Sequence, residues 1–191
     1  GYNISVLNEE NLRNDNLSNY SVIIAGIRAY NTNDWLIGYK NKLMDFVSSG
    51  GTYIVQYNTN NNLGKLGNNI GPYPFKISRK RVTDEFAEMR FTEPANKTLN
   101  TPNKITANDF RGWVQERGIY FAEEIDPKYQ TPLSCNDKGE SPLNGSLIIA
   151  QSGKGHFVYT GLAFFRQLPA GVPGAYRLFS NLIALPSGQE K

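Results

Sequence analysis

The chain has 191 residues, with 20 basic and 17 acidic side chains, a formal charge of +3 and a single cysteine, Cys135. That length allows one domain burying roughly two thirds or more of its unfolded surface, so no disulfide staple is needed and the cysteine count leaves the redox compartment open. The charges are interspersed rather than gathered into a basic tract, which argues against nucleic acid as a partner, and no apolar run approaches the ~20 residues of a membrane span.

In chain order, Ile4 to Leu7 and Val22 to Ile27 are short apolar runs, the second rich in β-branched residues, and both are predicted as buried strands. The abrupt start at Gly1-Tyr2-Asn3-Ile4 reads as the middle of a fold, hence the expectation of an excised piece. A helix comes next: Asn33 or Asp34 can cap it, Trp35, Leu36, Tyr39, Leu43, Phe46 and Val47 recur at helical spacing, and Gly50-Gly51 stop it. Thr52 to Tyr57 supplies the next strand, so strand, helix and strand make a βαβ unit with parallel strands.

The asparagine- and glycine-rich stretch from Thr59 to Asn69 predicts a surface loop, and it opens an irregular excursion over 59–145 interrupted by Pro94, Pro102, Pro127, Pro132 and Pro142. A helical turn is expected only near Ala107 to Phe110. Long ordered loops of this kind are usually functional. Ser146 to Gln151 and His156 to Thr160, joined by Gly153-Lys154-Gly155, predict a β-hairpin, and Tyr176 to Leu185 a closing helix with Leu178, Phe179, Leu182 and Ile183 on one face. Pro186 to Lys191 is expected to fray. The whole of 1–191 reads as a single domain.

No catalytic nucleophile is expected. The turn after Thr52 to Tyr57 carries Asn58-Thr59-Asn60 where an activated serine or cysteine would stand, and Cys135 and the sole histidine, His156, read as bystanders. One histidine and one cysteine cannot build a typical zinc site, so no metal or cofactor is expected in this chain. Arg79 and Arg81 precede Asp84, Glu85 and Glu88, as either an ion-pair network or, less simply, a carboxylate pair for acid and base work. Trp113, Gln115, Glu116 and Arg117 suit a sugar platform, an indole face for apolar sugar edges beside planar hydrogen-bonding groups, or equally a buried polar knot. Arg28, Tyr30 and Asn31 follow the carboxyl end of the first parallel strand and Asn58 that of the next. Joined by Arg79 and Arg166, they would line an anion- or hydroxyl-friendly pocket where open α/β sheets collect ligands.

Several phrases carry a family likeness: Gly26 to Thr32, Val55 to Thr59, Arg81 to Glu85, Pro102 to Thr106, Gly112 to Phe121 and Leu162 to Leu178. Together they resemble the C-terminal class I glutamine amidotransferase-like domain of LmbE-like (PIG-L-type) deacetylases from Bacteroidota. The resemblance implies a three-layer α/β, flavodoxin-like fold related to trehalose-utilisation (ThuA-like) proteins, with a mostly parallel sheet. It also implies an N-terminal partner domain that is a zinc-dependent N-acetylglucosamine-type deacetylase, with zinc expected only there, and a periplasmic or extracellular location. This chain lacks both the deacetylase's aspartate and histidine metal motif and the amidotransferase Cys-His-Glu triad. It also lacks the strand and helix that normally precede Tyr2, and if that strand is central its absence would expose a gap in the sheet. The implied role is a non-catalytic accessory domain that binds a glycan or packs on the catalytic domain. Alternatives are a sugar-processing hydrolase using Asp84, Glu85 or Glu116, and a purely structural interface domain.

Overall fold

Apolar, β-branched and aromatic runs form the centre of the computed structural model, which describes residues 1–60 and 70–185. In chain order the strands among these residues are β1 (Val22–Ala25), β2 (Thr52–Gln56), β3 (Lys76–Ile77), β4 (Arg81–Val82), β5 (Arg90–Phe91), β6 (Gly118–Ile119), β7 (Ala122–Glu123), β8 (Leu133–Ser134), β9 (Leu147–Ser152) and β10 (Gly155–Thr160). Helices α1 (Glu9–Asn14), α2 (Ala29–Thr32) and α3 (Lys40–Ser48) precede β2. The central sheet has the order β1-β2-β10-β9. β2 runs parallel to both β1 and β10, while β9 and β10 form the predicted antiparallel hairpin. The molecule is thus α/β with a mostly parallel sheet.

Register explains why these strands read as unbroken apolar runs. Ile24, Ile54, Val158 and Ile149 lie in one row across the sheet. Ile54, Val158 and Ile149 belong to a core cluster with Leu178 and Leu182 of the closing helix Pro173–Ile183 and with Phe110, Trp113 and Phe121. The alternate residues Tyr53, Val55, Phe157 and Tyr159 belong to a second cluster with Leu43, Phe46 and Val47 of α3 and with Phe75, Ile77 and Tyr129. Covered on both faces, β2, β9 and β10 need no polar alternation. The predicted helix from Trp35 divides into a 3-10 turn, Leu36–Tyr39, and α3. The hairpin turn crosses the end of α3, where Gly153 takes φ 60° and a Cβ on Gly155 would meet the Gly51 carbonyl oxygen at 2.1 Å.

Two differences from expectation concern the start of the chain. Ile4 to Leu7 forms no strand: Ile4 is 85% and Val6 90% exposed, and only Leu7 leans on the core. A short run becomes a strand only when it finds a hydrogen-bonded neighbour, and this one does not pair, although β1, at the sheet edge, has no second neighbour among the described residues. Ile24 within β1 is accordingly 42% exposed. The first regular element is instead α1, closed by a reciprocal capping box between Asn8 and Asn11.

The excursion is irregular but tied down. β3 pairs with β7, β4 with β6 and β5 with β8, all antiparallel, and the predicted turn at Ala107–Phe110 is a 3-10 helix. The Ile119 N–H donates to the Gly161 carbonyl (2.8 Å) and the Ala163 N–H to the Arg117 carbonyl (3.0 Å), which brings residues 115–121 to the end of β10. The loop expected over residues 61–69 and the tail 186–191 lie outside the described residues. Among those described, no helix is long and apolar enough to cross a membrane.

Candidate functional site

β1, β2 and β10 are mutually parallel, so their carboxyl ends share one edge, the usual place for a ligand in an open α/β sheet. Past β1 the chain turns at Arg28, whose φ of 58° is left-handed and whose N–H donates to the Tyr57 carbonyl (2.8 Å). Past β2 come Tyr57 and Asn58. Asn58 is fully buried: its Oδ1 accepts the Tyr30 N–H (2.9 Å) and its Nδ2 donates to the Gln56 carbonyl (3.0 Å). Asn31 and Thr59 exchange two further hydrogen bonds, of 3.1 and 2.8 Å. These two amides staple the loops after β1 and β2 and hold Tyr57 in place.

The half-buried Tyr57 ring is the centre of the cluster. It stacks on Tyr120 (centroids 5.6 Å apart, planes at 16°) and touches Phe165 at 5.1 Å, while the Arg166 guanidinium lies 4.9 Å from the Phe165 ring centre. Burial pushes the Tyr57 phenol up from its ordinary value; the Arg28 guanidinium opposes this, with smaller effects from Tyr120, Arg166 and Glu116. Glu116 is 2% exposed, and each of its oxygens is taken: Arg81 Nη2 donates to Oε2 (2.6 Å) and Arg166 Nε to Oε1 (2.8 Å). Arg166 Nη1 also donates to Gln115 Oε1. Gln167 fixes the same segment by bonding both the N–H and the carbonyl of Val114, at 2.8 and 2.9 Å.

Of the residues singled out from sequence, Arg28, Gln115, Glu116 and Arg166 meet here. Arg79 Nε donates to Asn60 Oδ1 (3.0 Å) in the loop after β2. The others serve the fold. Asn31 and Asn58 are the staples. The Tyr30 hydroxyl is buried against the Tyr53 hydroxyl (2.8 Å), and burial pushes its pKa up to about 12. Trp113 offers no face to a sugar: its indole is 2% exposed and donates to the Asp109 carbonyl (3.0 Å). Arg117 lies buried against the Phe110 and Trp113 rings, 5.8 Å from each centre, and donates to the carbonyls of Ala87 and Phe110. Its pKa is lowered, chiefly by burial, with Cys135, Asp84 and Glu85 opposing. For Trp113 and Arg117 the polar-knot reading therefore applies, and the left-handed Gln115 (φ 68°) turns Gln115 and Glu116 away from that knot.

Asp84 closes a turn by accepting the Phe86 N–H (2.8 Å), and its own N–H donates to Asp137 (2.9 Å); Glu85 is half-buried beside it. The expected network from Arg81 to these acids is replaced by the Arg81–Glu116 pair, and Glu88 pairs with Arg90 at 3.8 Å. The reason is reach across strands: β4 pairs with β6, so Arg81 faces Ile119 and its close neighbours rather than acids on its own loop. Sequence reasoning missed Tyr57, Tyr120 and Phe165. The available signal was position, since Tyr57 and Phe165 follow the ends of two parallel strands. Burial pushes the Cys135 thiol up to about 12, opposed by Arg117 and Arg90. Among the described residues no three His, Cys, Asp or Glu side chains gather as metal ligands.

Compared with known proteins, the chain matches no family model and no curated protein. Among solved structures it is similar to cytoplasmic protein STM3548 from Salmonella typhimurium, with a TM-score of 0.58 and 12% identity over 90% of this chain and 74% of that one. Lesser likenesses are to a beta-galactosidase from Bacillus circulans sp. alkalophilus (TM-score 0.49, 14% identity, 90% of this chain and 23% of that one) and to a cold-adapted beta-galactosidase from Rahnella sp. R3 (0.46, 14%, 88% and 23%). The likeness to the Salmonella protein is one of α/β fold.

Proposed function

We propose that this chain is a non-catalytic binding module that holds a saccharide on the Tyr57 platform at the carboxyl edge of its sheet. One observation carries the reading. Non-glycine residues rarely adopt positive φ, at a cost of roughly 1–3 kcal/mol each, and such strain gathers where function requires it. Among the described residues four do so, and three of them, Arg28, Gln115 and Tyr120, surround Tyr57. Aromatic rings beside planar guanidinium and carboxamide groups suit a sugar, taking its apolar edge and its polar rim respectively. Hydrolysis is not supported, because both oxygens of Glu116 are engaged by arginines and Asp84 serves a turn.

The wider context in this proposal rests on the phrases that resemble LmbE-like (PIG-L-type) deacetylases: a single three-layer, flavodoxin-like accessory domain of a carbohydrate-active, exported deacetylase whose zinc sits in a separate N-terminal catalytic domain. Titration calorimetry of the chain against oligosaccharides that include N-acetylglucosamine oligomers tests the binding role. Saturable binding that Tyr57→Ala abolishes and Trp113→Phe preserves is the expected result. Absence of binding, together with tight association with a deacetylase domain, replaces the proposal with a structural interface. Glycoside turnover lost in Glu116→Gln or Glu85→Gln replaces it with a hydrolase.

A further inference from the structure

The balance of donors and acceptors around Tyr57 narrows the ligand class. The platform brings together the guanidiniums of Arg28, Arg81 and Arg166 and one carboxylate, Glu116, so it is net cationic. Its one carboxylate is already held between cations: Glu116 Oε1 and Oε2, like Gln115 Oε1, receive guanidinium N–H groups. Donors remain. Among the described residues the Arg28 side chain makes no hydrogen bond, Arg166 commits Nε and Nη1 and keeps Nη2, and Arg81 commits Nη2 and keeps Nε and Nη1. A sugar hydroxyl both donates and accepts but carries no charge, so it leaves the excess of cationic donors on this surface uncompensated. An oxyanion only accepts, and a guanidinium fork meets it with two parallel bonds. The backbone agrees with this, since the left-handed turn at Arg28 holds its N–H on the Tyr57 carbonyl (2.8 Å) and so sets this exposed cation beside the platform.

We infer that the ligand is an acidic saccharide, its carboxylate or sulfate held between Arg28 and Arg166 and its ring against the Tyr57 edge. This rests on the reading of the platform as a saccharide site. The test is titration calorimetry of the whole chain with four probes: trigalacturonate, its full methyl ester, a sulfated disaccharide and inorganic sulfate. The free acid or the sulfated sugar is expected to bind at least about tenfold more tightly than the uncharged ester. The preference should shrink as salt is raised through the range that screens exposed charges, and vanish in Arg28→Gln. Arg28 is exposed, so that variant should melt with the wild type. Equal binding of acid and ester overturns the inference and leaves the saccharide reading standing. Inorganic sulfate binding as tightly as any sugar, or no binding by any probe, overturns both.

Discussion

Replacing Glu116 by glutamine tests the ion-pair network beneath the platform. The carboxylate is almost wholly buried, while the side chains of its partners Arg81 and Arg166 are 46% and 34% exposed. Breaking a fully buried pair costs about 3–5 kcal/mol because the stranded charge has no water, and a surface pair is worth about 0–1 kcal/mol. Here the buried member loses its charge and the stranded members keep hydration, so the loss falls between these limits, at about 2 kcal/mol. The amide also turns an N–H toward one guanidinium, so at most one of the two bonds survives. For a chain of this size, about 2 kcal/mol lowers Tm by roughly 4–8 °C, and the urea midpoint falls with an unchanged slope. Repeating Glu116→Gln in an Arg166→Met background completes a double-mutant cycle whose coupling should exceed about 0.5 kcal/mol. A Tm within about a degree of wild type, with no coupling, refutes the claim that this carboxylate anchors the platform.

Two further predictions concern groups away from the platform. Burial pushes the Asp137 carboxyl up, but the Thr83 and Asp84 N–H groups, the Thr83 hydroxyl and Arg81 outweigh it and leave the pKa lowered. A depressed folded-state pKa contributes stability that is present above the unfolded value of about 3.9 and lost as pH falls through the folded one. Asp137→Asn should therefore melt below wild type at neutral pH and converge with it under acid, whereas a constant gap from neutral to strongly acid pH contradicts the assignment. Cys135, wholly buried with its thiol pushed up to about 12, should resist alkylation at mildly alkaline pH in the native state and label only with global unfolding. Rapid labelling of the native chain would show that the core around it opens locally.

The parts of the fold legible in the sequence were those written in its periodicity. Thr52 to Gln56 and the hairpin at Leu147 to Thr160 announce themselves as apolar runs because both faces of the sheet are covered there, Val22 to Ala25 is as apolar although its edge position leaves Ile24 exposed, and α3 shows in its three-to-four spacing. Ile4 to Leu7 looks the same but has no neighbour, and strand formation is a property of pairs. The site was half legible for a related reason. Residues placed by strand ends, Arg28 and Arg166, could be found from topology. Residues whose direction depends on local backbone could not: in the continuous run Trp113 to Arg117 the first and last enter the core, while Gln115, at positive φ, and Glu116 between them reach Arg166.

Arg117 and Arg28 show why residue type alone misassigns such a site. Burying a guanidinium costs several kcal/mol unless it is matched, and Arg117 is matched by two carbonyl oxygens and two ring faces. Its charge is absorbed by the fold, so it joins the excursion to the closing helix's apolar cluster and its burial closes it to a ligand. Arg28 is the reverse case: exposed, at a strained backbone position, with no side-chain hydrogen bond among the described residues. Strain at an exposed residue does not repay itself through packing. If Arg28 contributed only to stability, glycine at that position would relieve the left-handed strain and be tolerated or favoured. Arg28→Gly should therefore match or exceed the wild type in Tm, and under the proposed reading it should weaken binding of the acidic saccharide even so; a clear loss of Tm would show that the Arg28 side chain serves the fold.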